Sequence, residues 1–468
     1  MKLKKYFGDR AFYKMVLAVS VPIMVQNGIS NFVSMLDNVM VGRLGTESMS
    51  GVSIVNQFIF IFNLVIFGAA SAAGIFTAQY HGYGDVKGER DTFRAKMWIS
   101  TLVGVAGVAF FALFDEPIIS LFLHETESKG DLALTLIEGK RYLAVMLAGL
   151  LPFAFSNAYA STMRETGKTV VPMVASIVAV LTNFCFNYIL IFGHFGAPAL
   201  GVVGAAIATV ISRFVELAVL VIWGHTHTKT YAFLAGAYRG LTVPGHLMGQ
   251  IALKGLPLMF NEFFWSTAVT LRNQCYSTRG LDVVAAQNIA STIVNVFNVV
   301  FISLGSAVAI IIGNLLGAGK LEEAKDTDRK LLTFSVLSTL GMAILLCVSA
   351  PFFPLLYKTS DSVRELATYM MIASAAIMPF CAFANAAYFT IRAGGNVIIT
   401  LLFDSVFMWV IVMPAAFLLS RFTGIGIRPL YLICQATEII KVVFGVALIR
   451  SGTWLRSLVG DENPQEMS

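Results

Sequence analysis

Residues 283–312 read VVAAQNIASTIVNVFNVVFISLGSAVAIII, thirty positions without a single Asp, Glu, Lys or Arg. At 1.5 Å per residue such a run makes a helix about 45 Å long, enough to cross a hydrocarbon core of about 30 Å. A helix satisfies its own backbone hydrogen bonds in lipid, whereas isolated strands of this length would not. Working outward, eleven more apolar runs follow the same rule: 14–41, 51–79, 97–114, 138–163, 169–193, 199–223, 250–275, 331–352, 366–391, 396–420 and 428–449. The whole chain agrees, with 57% apolar residues and only 13% charged, against about 25% charged in soluble domains. The expected fold is an all-α polytopic membrane protein of twelve transmembrane helices. The first run follows Lys2, Lys4, Lys5 and Arg10 and continues through Pro22 to full span length, so it reads as a helix and not as a cleaved signal.

Displaced by 235 positions, the chain matches itself. Val21-Pro22-Ile23-Met24-Val25-Gln26-Asn27 falls over Leu256-Pro257-Leu258-Met259-Phe260-Asn261-Glu262, Gly45 over Gly280, Gly82 over Gly317, and Asp91 and Arg94 over Asp326 and Arg329. Beyond the third run the displacement becomes 228. Arg164-Glu165-Thr166-Gly167 then falls over Arg392-Ala393-Gly394-Gly395, and Arg213 over Lys441. The change fits a longer loop near 115–137 than near 353–365. Six spans per half return the chain to its starting side, so the repeats are parallel, related by an axis along the membrane normal. The predicted organisation is an N-terminal lobe at 1–223, a linker at 224–249, a C-terminal lobe at 250–456 and a tail at 457–468.

Basic residues flanking the spans number 21 on the side of the N-terminus and 10 on the other. The positive-inside rule then places both termini, and the linker, in the cytoplasm. The acidic loop with Asp115, Glu116, Glu125, Glu127 and Asp131 falls outside. This bias accounts for the net charge of +6 without a nucleic-acid partner.

Polar residues inside spans are costly and tend to face a bundle interior or a wet cavity. Asn27, Ser30, Ser34 and Asp37 recur at helical spacing on the first span. Glu262, Ser266, Thr270 and Asn273 do so on the seventh, Asn288, Ser291, Asn295 and Asn298 on the eighth, and Ser53, Asn56, Gln57 and Asn63 more loosely on the second. These stripes suggest a central polar cavity lined by Met24, Gln26, Asn27, Ser34, Gln57, Asn261, Glu262, Asn288 and Asn295, although hydrogen bonds between helices would use the same residues. Asn183 and Asn187 share one face of the fifth span. Counting down from the ends, these two, Asp37 and Thr209 reach one depth, Thr209 roughly 15 Å below its surface. A carboxylate among amide and hydroxyl oxygens suits a hard cation such as Na⁺, or a proton on the carboxylate alone. Arg213 with Glu216, and Glu438 with Lys441, are spaced i,i+3 and read as ion pairs along their own helices. Asp404 stands in the inner half of the eleventh span.

Enzymatic readings find little support. The six histidines all fall in loops, and Cys185, Cys275, Cys347, Cys381 and Cys434 are scattered through apolar segments as packing residues. Gly167-Lys168-Thr169 has the close of a phosphate-binding loop, but Thr162 occupies the place of its first glycine.

Nearly the whole chain resembles the multidrug and toxic compound extrusion (MATE) family. The residues that carry the likeness are Pro22, Met35-Leu36-Asp37-Asn38-Val39-Met40-Val41-Gly42-Arg43-Leu44-Gly45, Gly82-Tyr83-Gly84-Asp85, Arg164-Glu165-Thr166-Gly167-Lys168-Thr169, Asn183 and Gly201-Val202-Val203-Gly204-Ala205-Ala206. In the second half they are Gly255-Leu256-Pro257, Gly313-Asn314-Leu315-Leu316-Gly317-Ala318-Gly319 and Arg392-Ala393-Gly394-Gly395. The resemblance implies export of lipophilic, often cationic small molecules in exchange for H⁺ or Na⁺. The expected setting is the plasma membrane, and the expected working form is a monomer without cofactor. Asp37, Asn183 and Thr209 match the family's N-lobe cluster, while Asn187 stands where some members have a second aspartate. The acidic pair that NorM-like members carry in the C-lobe is not matched, so the resemblance places coupling in the N-lobe and favours a DinF-like branch.

Overall fold

The computed structural model describes residues 5–120, 132–357 and 359–459, apart from the side chains of 33–36, 38, 39, 46 and 281. Glu125, Glu127 and Asp131 of the acidic loop lie outside the described residues. Among those described there is no strand, and twelve long helices follow one another: α1 (Arg10–Gly42), α2 (Thr46–Tyr83), α3 (Val86–Leu113), α4 (Leu132–Glu165), α5 (Val170–Phe192), α6 (Gly201–Thr226), α7 (Gly245–Ser277), α8 (Leu281–Gly317), α9 (Leu321–Ser349), α10 (Asp361–Ala393), α11 (Val397–Phe422) and α12 (Ile427–Ser451). The protein is therefore an all-α polytopic membrane protein. Eleven of the twelve are apolar and long enough to cross a bilayer by composition alone. The exception is α7, in which Lys254, Asn261, Glu262, Arg272 and Asn273 dilute the apolar run.

The duplication visible in the sequence is repeated in the backbone. Gly45 and Gly280 both take φ near +120°, and Gly167 and Gly395 both take +75°, a region that side chains with a Cβ rarely enter. Asp91 pairs with Arg94 at 3.0 Å and Asp326 with Arg329 at 3.9 Å. Packing follows suit: α4 lies against α3 and α6, and its counterpart α10 against α9 and α12.

By internal contacts the chain forms two compact units. One comprises Val25–Thr77 and Val86–Gly255, the other Met1–Met24, Ala78–Asp85 and Leu256–Ser468. Of the four changeover points, those at Met24–Val25 and Gly255–Leu256 fall beside Pro22 and Pro257, equivalent prolines inside α1 and α7. Proline removes one backbone hydrogen bond from a helix, so two of the passages between units coincide with a weakened point of their helix. The first unit is cored by Ile59, Phe62, Ile66, Leu143, Met146 and Leu150, and the second by Tyr276, Leu346, Ala367, Met370 and Met371.

Lipid chains are as apolar as leucine, so helices in a bilayer gain by close approach at small residues. In the first unit a Cβ on Gly51 of α2 would stand 2.7 Å from the Thr135 carbonyl oxygen of α4. In the second, a Cβ on Gly82 would meet the Asn314 carbonyl oxygen at 1.8 Å, and one on Gly317 would meet that of Gln79 at 1.9 Å. Gln79 and Gly82 are the counterparts of Asn314 and Gly317 at the displacement of 235. The duplicated residues thus meet each other reciprocally, as in an isologous interface.

Candidate ion and substrate sites

In the first unit, α5 places Asn183 and Asn187 one above the other because i and i+4 share a helix face. Both are buried, at 4% and 1% exposed. Asn187 Nδ2 donates to Asp37 Oδ1 of α1 at 2.6 Å, and to Asn183 Oδ1 at 3.0 Å. The Asn183 amide seats in either of two orientations. In one its nitrogen donates to Thr209 Oγ1 at 3.2 Å; in the other it donates to Asp37 Oδ1 at 2.9 Å while its oxygen accepts from Thr209 at 3.2 Å. The fold therefore brings together Asp37, Asn183, Asn187 and Thr209 from α1, α5 and α6. Among the described residues no cationic side chain lies within ion-pair distance of Asp37. Asn187 Oδ1 is buried and accepts no hydrogen bond. One carboxylate is thus surrounded by neutral oxygens and amides, one of which has an unused lone pair.

Two further residues lie near this cluster, one without a signal in the sequence and one whose spacing points to the wrong partner. Tyr142 of α4 donates to Asn56 of α2 at 3.2 Å and lies within electrostatic reach of both Asp37 and Arg213. A lone tyrosine in an apolar run reads equally as packing. Arg213 does not pair with Glu216, contrary to the spacing argument. Its guanidinium lies over the Phe153 ring at 4.5 Å, and its NH1 is buried without a hydrogen-bond partner. Glu216 instead accepts from Ser176 at 2.7 Å, which in turn accepts from Gln26 at 2.7 Å.

The second unit holds a different network. Asp404 Oδ1 accepts from Lys441 of α12 at 2.7 Å, and its Oδ2 accepts from Asn261 of α7 at 3.1 Å. Ser405 donates to the Asn261 backbone and side-chain oxygens, both at 2.7 Å. Tyr388 OH receives Asn261 and Arg392 and donates to Glu262, all at 3.3 Å. Asp404 lies in the first of two π-helical turns, Leu402–Val406 and Met408–Val412. Pro414 follows, and a residue without an N–H cannot bond back to residue 410, so the ladder shifts register upstream of it. The expected pair of Lys441 with Glu438 is replaced by one with Asp404, because α11 brings a carboxylate closer than the helix's own spacing does.

The residues expected to line a cavity divide. Gln57, Asn288 and Asn295 are exposed, Asn27 and Glu262 are half-buried, and Gln26 is engaged by Ser176 and by Arg164 at 3.4 Å. Met24 packs against the apolar cluster of Val16, Leu304 and Val308 in the second unit. Asn261 has no exposed surface; its amide is consumed by Asp404, Ser405 and Tyr388, so it holds the network together and does not line an open cavity. The Ser34 side chain lies outside the described residues.

Twelve helices in two matched sets, with intramembrane polar clusters held by facing helices, define a polytopic carrier-type membrane protein. The MatE family model matches residues 22–189 and 257–418, one match in each half of the duplication, and the chain belongs to that family. It is 23% identical over 450 residues to a probable multidrug resistance protein NorM of Thermotoga maritima, covering 95% of this chain and 94% of the relative. It is 26% identical over 425 residues to the multidrug resistance protein PmpM of Pseudomonas aeruginosa, covering 88% and 84%. The fold matches an outward-facing multidrug resistance MATE family transporter of the MOP superfamily, with a TM-score of 0.84 at 19% identity over 96% of this chain and 98% of that one. A MOP superfamily transporter from Pyrococcus furiosus, described by the reverse polarity of its binding pocket, matches with a TM-score of 0.80 at 19% identity over the same shares.

Proposed function

We propose that this chain is a secondary active exporter of lipophilic, often cationic small molecules, driven by inward movement of H⁺ or Na⁺ through alternating access. The observation that carries the reading is Asp37 with only neutral partners. A half-buried carboxylate within a span, without a fixed counter-charge, is costly in lipid, and either a proton or a metal cation relieves that cost. The unused lone pair on Asn187 Oδ1 supplies a further oxygen for a cation. The related proteins named multidrug resistance proteins supply the class of cargo. In this reading the chain works as lobes 1–223 and 250–456, the linker 224–249 and both termini face the cytoplasm, and the working unit is a monomer in the plasma membrane. Coupling belongs to the N-lobe.

Ethidium efflux from cells, and from proteoliposomes under separate Na⁺ and pH gradients, tests this. Asp37→Asn is expected to reduce efflux to background while the protein still inserts and elutes as a single species. Full efflux by that variant sinks the coupling role, and loss of response to one gradient alone identifies the ion.

A second reading, flipping of an anionic lipid-linked precursor, gains from one feature. Arg213 is a half-buried cation with no carboxylate within ion-pair distance among the described residues, which suits an anionic cargo. Failure of Arg213→Gln to alter dye efflux, together with loss of precursor flipping, would favour it.

A further inference from the structure

The segment after α6 folds back over the beginning of α3. Arg94 fastens it: Nε donates to the Ala237 carbonyl at 2.8 Å, NH2 to those of Gly236 and Arg239 at 3.1 and 3.2 Å, and NH1 to Asp91 at 3.0 Å. One turn along, Trp98 Nε1 donates to the Leu241 carbonyl at 2.9 Å. Arg90 Nε reaches the Phe233 carbonyl at 3.4 Å. Between these residues lies a cavity of about 560 Å³ lined by Arg90, Arg94, Thr228, Ala235, Gly236 and Arg239.

Folding of the segment accounts for Arg94. It does not account for the other two arginines. The terminal nitrogens of Arg90 and the whole Arg239 guanidinium have no partner among the described residues. Asp91 offsets one charge, which leaves two. Like charges gathered around one cavity repel unless an anion sits among them, and a guanidinium fork suits phosphate oxygens in pairs.

The surroundings say which phosphate. Trp98, Tyr238 and Leu241 are exposed beside the cavity, and aromatic residues of this kind mark the headgroup level of a bilayer. From Trp98 the exposed stripe continues along α3 through Leu102 and Val105, at i+4 and i+7, into the apolar part of the span. A headgroup in the cavity would therefore lay its acyl chain on a ready-made greasy track, which a free phosphate would leave unused. Basic pockets at this level are suited to acidic lipid headgroups.

We infer that Arg90, Arg239 and Thr228, on the frame that Arg94 fastens, form a binding site for the headgroup of an acidic glycerophospholipid, on the face assigned to the cytoplasm. The site lies apart from the intramembrane clusters and stands or falls independently of the coupling ion.

Native mass spectrometry of the full chain released from nanodiscs tests it. Discs of phosphatidylcholine with phosphatidylglycerol are compared with discs of phosphatidylcholine alone. At least one phosphatidylglycerol should stay bound, and inorganic phosphate should not displace it. Arg90→Gln with Arg239→Gln should weaken retention at least about tenfold, since charge-assisted hydrogen bonds are lost. Arg239→Gln alone removes no folded-state partner and should still lower retention severalfold, which guards against misfolding of the pair. Equal retention of phosphatidylcholine, retention unchanged in both variants, or displacement by phosphate overturns the proposal. Full dye efflux alongside lost lipid, or the reverse, separates this site from the transport reading.

Discussion

Asp37 and Asp404 are both intramembrane carboxylates on helices of matched lobes, yet their neighbours differ in kind. Asp37 is held by Asn187 and stands beside Asn183 and Thr209, all neutral. Asp404 is held by Lys441, and the same network includes Glu262 and Arg392, two acids against two bases. A carboxylate with a built-in ammonium has its charge balanced within the protein. One among amides can have its charge balanced only by something that comes and goes. The duplication supplied the scaffold twice, and under the proposed function charge partnership separates a cluster able to exchange an ion from one that fastens helices.

The comparison can be broken most directly at Asp37. Asp37→Asn should remove gradient-driven efflux entirely, whereas Asp404→Asn combined with Lys441→Met should leave much of it; efflux rates for the two variants side by side decide. Next in size is Lys441→Met alone. Leaving Asp404 buried without its cation should cost about 3–5 kcal/mol, read as a large drop in thermal unfolding temperature in detergent, with the double variant recovering most of the loss. Asn187→Ala removes a hydrogen bond to a charged group worth about 1.5–3 kcal/mol. It also removes an amide oxygen open to a metal ion, so if the coupling ion is Na⁺ its apparent affinity should fall by about ten- to a hundredfold, measured as the concentration giving half-maximal efflux; a proton, competing with one donor fewer at the carboxylate, should lose no affinity. The smallest effect is expected for Ser405→Ala, which loosens Asn261 and should lower stability by about 1 kcal/mol with efflux intact. A strong transport defect there would mean that the second network takes part in coupling after all.

Much of this was legible before any coordinates. Span count and duplication follow from chemistry that acts along the chain: uninterrupted apolar runs, and glycines and prolines whose backbone demands recur at fixed displacement. The grouping of Asp37, Asn183, Asn187 and Thr209 could also be anticipated, because depth in a membrane is countable from helix ends. What escaped was lateral. Spacing of i,i+3 suggested Glu438 for Lys441 and Glu216 for Arg213, but which helix lies beside which decides a partner. The π-helical turns around Asp404 and the neighbour relation of α11 and α12 are not written in local spacing. The seeming equivalence of Arg213 and Lys441 hid opposite fates, one stacked on Phe153 and the other neutralised by Asp404.

The reciprocal contact of Gly82 with Asn314 and of Gly317 with Gln79 has a consequence for ancestry. A surface that meets its own copy through equivalent residues is what a pair of identical chains would use. Fusing two such chains end to end would preserve the handshake and free each copy to diverge elsewhere. A half-length, six-helix chain bearing either glycine would therefore carry the means of pairing with its twin, and the later partition of labour between Asp37 and Asp404 would have required no change at that contact.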